Sequence, residues 1–157
     1  MATAANTFRA ARQEDLAAIE RLLAIAGLES TGVAELLKWS AGDVVVVDDA
    51  SRSGELASIG ALEVRGRDAL LRSVAVHPDW RQGRLGQALV RHLMDEARSR
   101  GIRALYLLTT TAEHFFPKLG FERLDRDAVP DEIAATHEFR SMCPASAVAM
   151  VGVLYDE

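Results

Sequence analysis

Arg81, Gly83, Arg84 and Gly86 have the types and spacing to hold an anion. They follow an apolar, partly β-branched run, Leu71-Arg-Ser-Val-Ala-Val76, which is closed by Pro78. They precede residues with the apolar spacing of one helix face: Leu85, Ala88, Leu89, Leu93 and Ala97. A strand that turns into a helix in this way presents backbone N–H groups that have no partner within the helix. Those groups and the helix dipole favour a phosphate. Gly83 and Gly86 allow a ligand close to the backbone, and the two arginines add positive charge. A polyphosphate is the expected ligand, against the alternative of an ordinary strand–turn–helix connection with surface arginines. The stretch contains neither G-x-G-x-x-G nor G-x-x-x-x-G-K-[ST].

A second chemical feature lies just upstream. Glu63 and Arg72 stand in otherwise apolar strand patterns, Leu56–Val64 and Ala69–Val76. A two-residue turn at Gly66-Arg67 sets residue 63 opposite residue 70. Glu63 and Arg72 are then diagonal neighbours on one face. Charges in such strands are rarely buried unless paired. The pair is either a structural ion pair or part of a reactive site.

The remaining elements frame these two features. Thr7 to Ala11 reads as a first strand, and Gln13 to Ala26 as a helix with Leu16, Ile19, Leu22 and Leu23 on one face. Thr31 to Trp39 reads as a second helix. Val44 to Val47 is a β-branched strand followed by a polar turn, Asp48 to Gly54. After the helix that ends before Gly101 come a strand, Ala104 to Leu108, a short helix, Ala112 to Leu119, and a strand, Phe121 to Leu124. Pro130 to Thr136 reads as a helical turn, and Ala147 to Leu154 as a late strand. The order β-α-α-β-β-β-α-β-α-β implies a mixed α/β (α+β) sheet with a parallel crossover in its second half. There is no linker or repeat, so one domain is expected over 1–157, with its core at about 7–154.

Bulk properties narrow the function. The 157 residues carry a formal net charge of -5, which speaks against nucleic acid and anionic membranes as partners. No apolar run reaches the ~20 residues of a membrane span. One cysteine, Cys143, excludes an internal disulfide, and the N-terminus lacks a signal-peptide pattern. A cytoplasmic location is expected. His77, His92, His114 and His137 show no metal-ligand spacing, so no metal is expected.

The motifs also resemble a family. Arg81-Gln-Gly-Arg-Leu-Gly86 resembles the [QR]-x-x-G-x-[GA] pyrophosphate loop of the acetyl-CoA-dependent GNAT N-acetyltransferases. Val74-Ala-Val-His-Pro78 resembles their V-x-V-x-P strand, and Phe116-Pro-Lys-Leu-Gly-Phe121 their Y-x-K-x-G-F signature. A narrower resemblance, to arsenic-resistance N-acetyltransferases and short amino-acid N-acetyltransferases, rests on Tyr106 to Phe121 and on Glu138 to Ala147.

The resemblance implies an acyl-CoA N-acyltransferase fold: a mostly antiparallel sheet, splayed in the middle and flanked by helices. It implies acetyl-CoA as cosubstrate and direct transfer to a small-molecule amine, an amino acid or an amino-acid-like toxin. Val74, Ala75 and Val76 would lie along the pantetheine arm. The loop Arg81, Gln82, Gly83, Arg84, Leu85, Gly86 and Gln87 would hold the pyrophosphate. The thioester would sit between the strands at 70–77 and 104–109. A homodimer through the late strands is common in relatives.

Two positions depart from the family pattern. Phe116 replaces the tyrosine that serves many relatives as general acid, and Arg84 replaces a loop glycine. Arg84 is compatible with the loop if it is helical; if the position needs a positive φ, Gly83 is expected to supply it. The thiolate then takes its proton from water or from Thr109 or Thr111, which alternatively cap the turn at Ala112. Glu63 becomes the candidate acceptor of the ammonium proton. Arg72, Arg140 and Ser141 become candidates for binding a substrate carboxylate. Leu36 and Trp39 are expected to wall the acceptor pocket. Two other functions compete: a non-catalytic acyl-CoA-binding domain, and a protein N-terminal or lysine acetyltransferase.

Overall fold

The computed structural model describes residues 7–110, 112–141 and 147–155. Seven strands form one mixed sheet: β1 Arg9–Ala10, β2 Val44–Asp48, β3 Leu56–Arg65, β4 Asp68–Val76, β5 Ala104–Thr109, β6 Glu122–Arg123 and β7 Val148–Val153. Their order is β1-β2-β3-β4-β5-β7-β6. β5 runs parallel to β4, and β1–β2, β2–β3, β5–β7 and β6–β7 are antiparallel. The parallel ladder is short. It joins Asp68, Ala69 and Leu70 to Ala104, Leu105 and Tyr106, the first three residues of each strand. The β5–β7 ladder instead uses every residue of β5. The helices are α1 Leu16–Ile25, α2 Thr31–Ser40, α3 Leu85–Ser99, α4 Asp131–Ala134 and α5 His137–Ser141. Among the described residues, no helix is long and apolar enough to cross a membrane.

The chain forms two compact units. The first holds the described residues up to Ala61, together with Ser73–Leu93. Its core joins Ile19, Leu22 and Leu23 of α1 and Val33 and Leu37 of α2 to Val44, Val46, Ile59, Ala61 and Ala75 of the strands. α1 begins later than expected because Gln13–Asp15 is a 3-10 turn. The Asp15 carboxylate accepts from the Arg12 N–H at 2.7 Å and pairs with Arg9 at 2.9 Å, which draws the chain into that tighter turn. α3 lies directly on β3 at Gly60, where an added Cβ would come within 2.8 Å of Leu93 Cδ1.

The second unit holds Leu62–Arg72 and the described residues from Met94 onward. Its core joins Leu70, Leu108, Val129, Ile133, Phe139 and Ala149. Phe121 covers Gly152, where an added Cβ would meet the ring at 2.9–3.0 Å. The helix expected over Ala112 to Leu119 is only a 3-10 turn, Phe116–Leu119. Pro117 lacks an N–H and stands inside that segment, so a longer α-helix loses a bond there. The strand expected over Phe121 to Leu124 shrinks to β6. α5 has no counterpart among the expected elements.

Candidate active site

In the first unit, β4 leads through a 3-10 turn, Pro78–Gly83, into α3. Local bonds set this turn. The His77 N–H donates to the Ala57 carbonyl at 2.8 Å, and the Trp80 N–H donates to the His77 carbonyl at 2.8 Å. The Asp79 N–H donates to His77 Nδ1 at 3.1 Å. Trp80 packs with Phe8, Val76, Val47, Ala57 and Leu85. Arg52 ties the turn to the segment after β2: it donates to Asp49 at 2.7 Å and also pairs with Asp79.

Asp49 is buried and anchors this tie. Burial alone pushes its carboxyl up, but the Ser51 hydroxyl and N–H, with Arg52, outweigh burial and hold it well below the usual carboxylate range. A carboxyl lowered by folding adds stability above its unfolded pKa, and that stability disappears as pH falls through the folded value. Asp49→Asn therefore lowers stability at neutral pH. The gap from the parent closes in strong acid, as urea denaturation at several pH values would show.

The first bond of α3 runs from the Ala88 N–H to the Arg84 carbonyl, 3.1 Å. The N–H groups of Leu85, Gly86 and Gln87 precede it and have no intrahelical acceptor. An added Cβ at Gly83 would meet nothing within 4 Å, so the space above that glycine is open. Arg81, Gln82, Gly83 and Arg84 are exposed, Gly86 and Gln87 half-buried, and Leu85 buried. Arg81 folds back so that its Nε donates to the Val76 carbonyl at 2.9 Å. Val74 and Val76 are half-buried, and the buried Ala75 side chain joins the core. These residues suit an extended ligand that ends in phosphates.

Arg84 corrects the sequence expectation. It is not helical, and Gly83 does not take over the positive φ. Arg84 itself is left-handed, at φ 63° and ψ 19°. For a residue with a Cβ that conformation costs about 1–2 kcal/mol. Arg84→Gly removes the strain but admits glycine's unfolded-state entropy, so a net gain of about 0.5–1 kcal/mol is expected in thermal denaturation. Ser73, in the middle of β4, is likewise left-handed at φ 58°. Left-handed residues in strands mark bulges, and such strain concentrates at functional sites. Nothing in the residue type announces it.

The second unit carries the charged group. Arg72 Nη1 donates to Glu63 Oε1 at 2.9 Å, as the two-residue turn implied. Gly66 in that turn is left-handed at φ 64°. Glu63 also pairs with Arg65. Arg72 Nη2 lies 3.5 Å from Glu138 Oε1 of α5, a contact the sequence did not suggest. The Arg72 side chain is 8% exposed, and those of Glu63 and Glu138 are 15% and 14% exposed. Burial pushes the Glu138 carboxyl up; Arg72 opposes this and Glu63 adds to it. The terminal nitrogens of Arg72 thus already face carboxylates of the chain itself.

The other expected residues are scattered. Thr109 is buried, and its Oγ1 accepts from the Ala112 N–H at 2.9 Å, the capping role considered above. Thr111 lies outside the described residues. Arg140 and Ser141 are exposed at the end of α5. Phe116 is a core residue, 6% exposed and edge-on to Phe121 at 5.5 Å. In the first unit, Trp39 is 76% exposed and donates to Glu35 at 3.0 Å, while Leu36 packs on the core.

Residues 40–123, more than half of the chain, match the acetyltransferase (GNAT) domain family. An amino-acid acetyltransferase of Aeromonas salmonicida is 31% identical over 135 residues, which cover 82% of this chain and 29% of that protein. One from Vibrio cholerae is 41% identical over 64 residues, 41% of this chain and 14% of that protein. The chain thus spans less than a third of the length of these relatives. N-acetylglutamate synthase from Neisseria gonorrhoeae, complexed with coenzyme A and N-acetyl-glutamate, has a similar fold: TM-score 0.80, 24% identity, coverage 99% of this chain and 36% of that one. A Mycobacterium tuberculosis protein solved in complex with CoA gives TM-score 0.76 at 27% identity, over 95% of this chain and 99% of that one. The matched segment contains β4, the turn and the start of α3, and the Phe116–Phe121 block, and the chain belongs to the acetyltransferase (GNAT) family.

Proposed function

We propose that this chain, as a single domain, transfers an acetyl group from acetyl-CoA directly to the primary amine of a small molecule. The acceptor is an amino acid or an amino-acid-like toxin of the arsenic-resistance type. The observation that carries this reading is the set of N–H groups of Leu85, Gly86 and Gln87 ahead of the first α3 bond, flanked by Arg81 and Arg84. These donors suit the pyrophosphate of the coenzyme A that solved relatives hold. The backbone of Val74 to Val76 runs along the pantetheine arm.

Acetyl-CoA supplies an already activated acyl group, so the chain has to bind, orient and move protons. A carboxylate of the Glu63–Arg72–Glu138 group takes the ammonium proton. Thr109, with Thr111 or water, protonates the leaving thiolate. Arg140 and Ser141 receive the substrate carboxylate. Similarity to amino-acid acetyltransferases supports an amino-acid acceptor. The enzyme works in the cytoplasm and pairs with a second copy through its late strands, where Val153 is 65% exposed. A light-scattering mass of one chain would refute that pairing.

The test is an acceptor panel of free amino acids, amino-acid-like antimetabolites, peptides and acetyl-lysine precursors, with CoA release as readout. Turnover with free amino acids or antimetabolites is expected. Preference for peptides would transfer the reading to a protein acetyltransferase. Phe116 in the tyrosine position also supports a second reading, a non-catalytic acyl-CoA sensor. CoA binding with no release above the blank for any acceptor would favour the sensor.

A further inference from the structure

We propose that Glu138 is the catalytic carboxylate that takes the proton from the substrate ammonium, while Glu63 serves to position Arg72. The inference rests on the acetyl-transfer reading above and assigns one of its proton transfers to a specific atom. The geometry separates the two glutamates. Glu63 is held by two guanidinium groups, Arg72 at 2.9 Å and Arg65. Its carboxylate is already engaged by both. Among the described residues, the cation beside Glu138 is Arg72 at 3.5 Å, beyond the 2.7–2.9 Å of a charge-assisted hydrogen bond. Its carboxylate therefore has lone pairs to offer an incoming ammonium.

The surroundings of Glu138 add to this. From the strands it faces Arg72 and, across that guanidinium, Glu63. On its own helix, His137 and Arg140 are exposed. From α4, Asp131 and Glu132 are exposed, with Glu132 lying against the Gly66 turn. Arg126 is committed to Phe139, donating to its carbonyl at 2.5 Å and stacking on its ring at 5.5 Å. Burial and Glu63 outweigh Arg72 and raise the Glu138 carboxyl, which makes its carboxylate a stronger proton acceptor. Arg72 stands directly before the left-handed Ser73 and two residues before Val74, where the cosubstrate backbone contacts are proposed.

The step balances as follows. An ammonium N–H bond breaks and a Glu138 O–H bond forms. The freed amine lone pair forms the N–C bond to the acetyl carbon, and the C–S bond breaks with its electron pair on sulfur. The nitrogen loses a second proton and the thiolate gains one. Glu138 returns its proton to water, so one proton is released per acetyl group transferred.

The experiment compares the parent, Glu138→Gln, Glu138→Asp and Glu63→Gln as full chains. Each is measured for kcat/KM against pH, for CoA affinity, and for carboxyl titration by 13C NMR of glutamate-labelled protein. Expected for Glu138→Gln are a 100- to 1000-fold fall in kcat/KM, loss of the acidic limb of the profile, and unchanged CoA affinity and melting. Glu138→Asp should restore part of the rate, and Glu63→Gln should keep an acidic limb. In NMR, the parent should show a glutamate titrating above the ordinary range that vanishes in Glu138→Gln. An acidic limb intact in Glu138→Gln, or the absence of that raised resonance from the parent, would overturn the proposal. The NMR arm needs no turnover. A parent that shows the raised resonance but acetylates no amine condemns the transferase reading and with it the role assigned to Glu138.

Discussion

Arg72→Met should cost the fold about 3–5 kcal/mol, the range for removing one partner of a buried ion pair. The arginine is 8% exposed and faces two carboxylates that are 15% and 14% exposed. Without it, among the described residues, Glu63 keeps Arg65, which is 42% exposed, and Glu138 loses its cation. The pH dependence has a definite sign. Arg72 is the influence that lowers the Glu138 carboxyl, so its removal lets burial and Glu63 raise that carboxyl further. An acid whose folded pKa is raised stabilises the fold below its unfolded value, about 4.3, and loses that contribution as pH rises through the folded value. The deficit should thus be smallest in acid and largest at neutral pH. Adding Glu138→Gln to the variant should recover part of it. Urea denaturation of the three proteins across pH gives the answer, and a deficit under 1 kcal/mol at neutral pH would contradict the buried-network description.

The second large effect is on binding. Gln87→Glu places a negative charge in the first turn of α3, where the N–H groups of Leu85, Gly86 and Gln87 precede the first helical bond. For the fold alone the change is favourable, because an acid near a helix N-terminus gains about 0.3–1 kcal/mol from the dipole. For a pyrophosphate it is adverse, since the new carboxylate meets like charge where the ligand should rest. CoA affinity should fall about 10- to 100-fold, equivalent to about 1.4–2.8 kcal/mol, while the melting temperature holds or rises. Calorimetric titration with CoA at fixed ionic strength reads the first quantity and thermal denaturation the second. A variant that binds CoA as tightly as the parent would remove the pyrophosphate from this helix end.

Much of this arrangement was legible in residue order. The β-branched run from Val44, the helical spacing from Leu85 and the two-residue turn at Gly66-Arg67 each obey a local rule, and each element forms. The turn is the reason the sequence alone pairs Glu63 with Arg72. What stayed hidden has physical causes. α5 is a single short helix with no apolar period to announce it, and only tertiary packing brings Glu138 to Arg72. Ser73 and Arg84 are left-handed, though neither residue type favours that backbone. The place of β7 between β5 and β6 is also unreadable locally, because hydrophobic alternation fixes a strand's faces and leaves its neighbours open.

The measurement closest to the central claim is transfer itself. Purified protein is mixed with acetyl-CoA carrying a labelled acetyl group and with each free amino acid or amino-acid-like antimetabolite in turn. Released thiol and labelled product are followed together. One N-acetylated small molecule is expected for each thiol released, at a rate well above the acceptor-free blank, with no acetyl group left on the protein. Thiol release that never exceeds the blank with any acceptor, from protein that still binds CoA, would contradict the central claim.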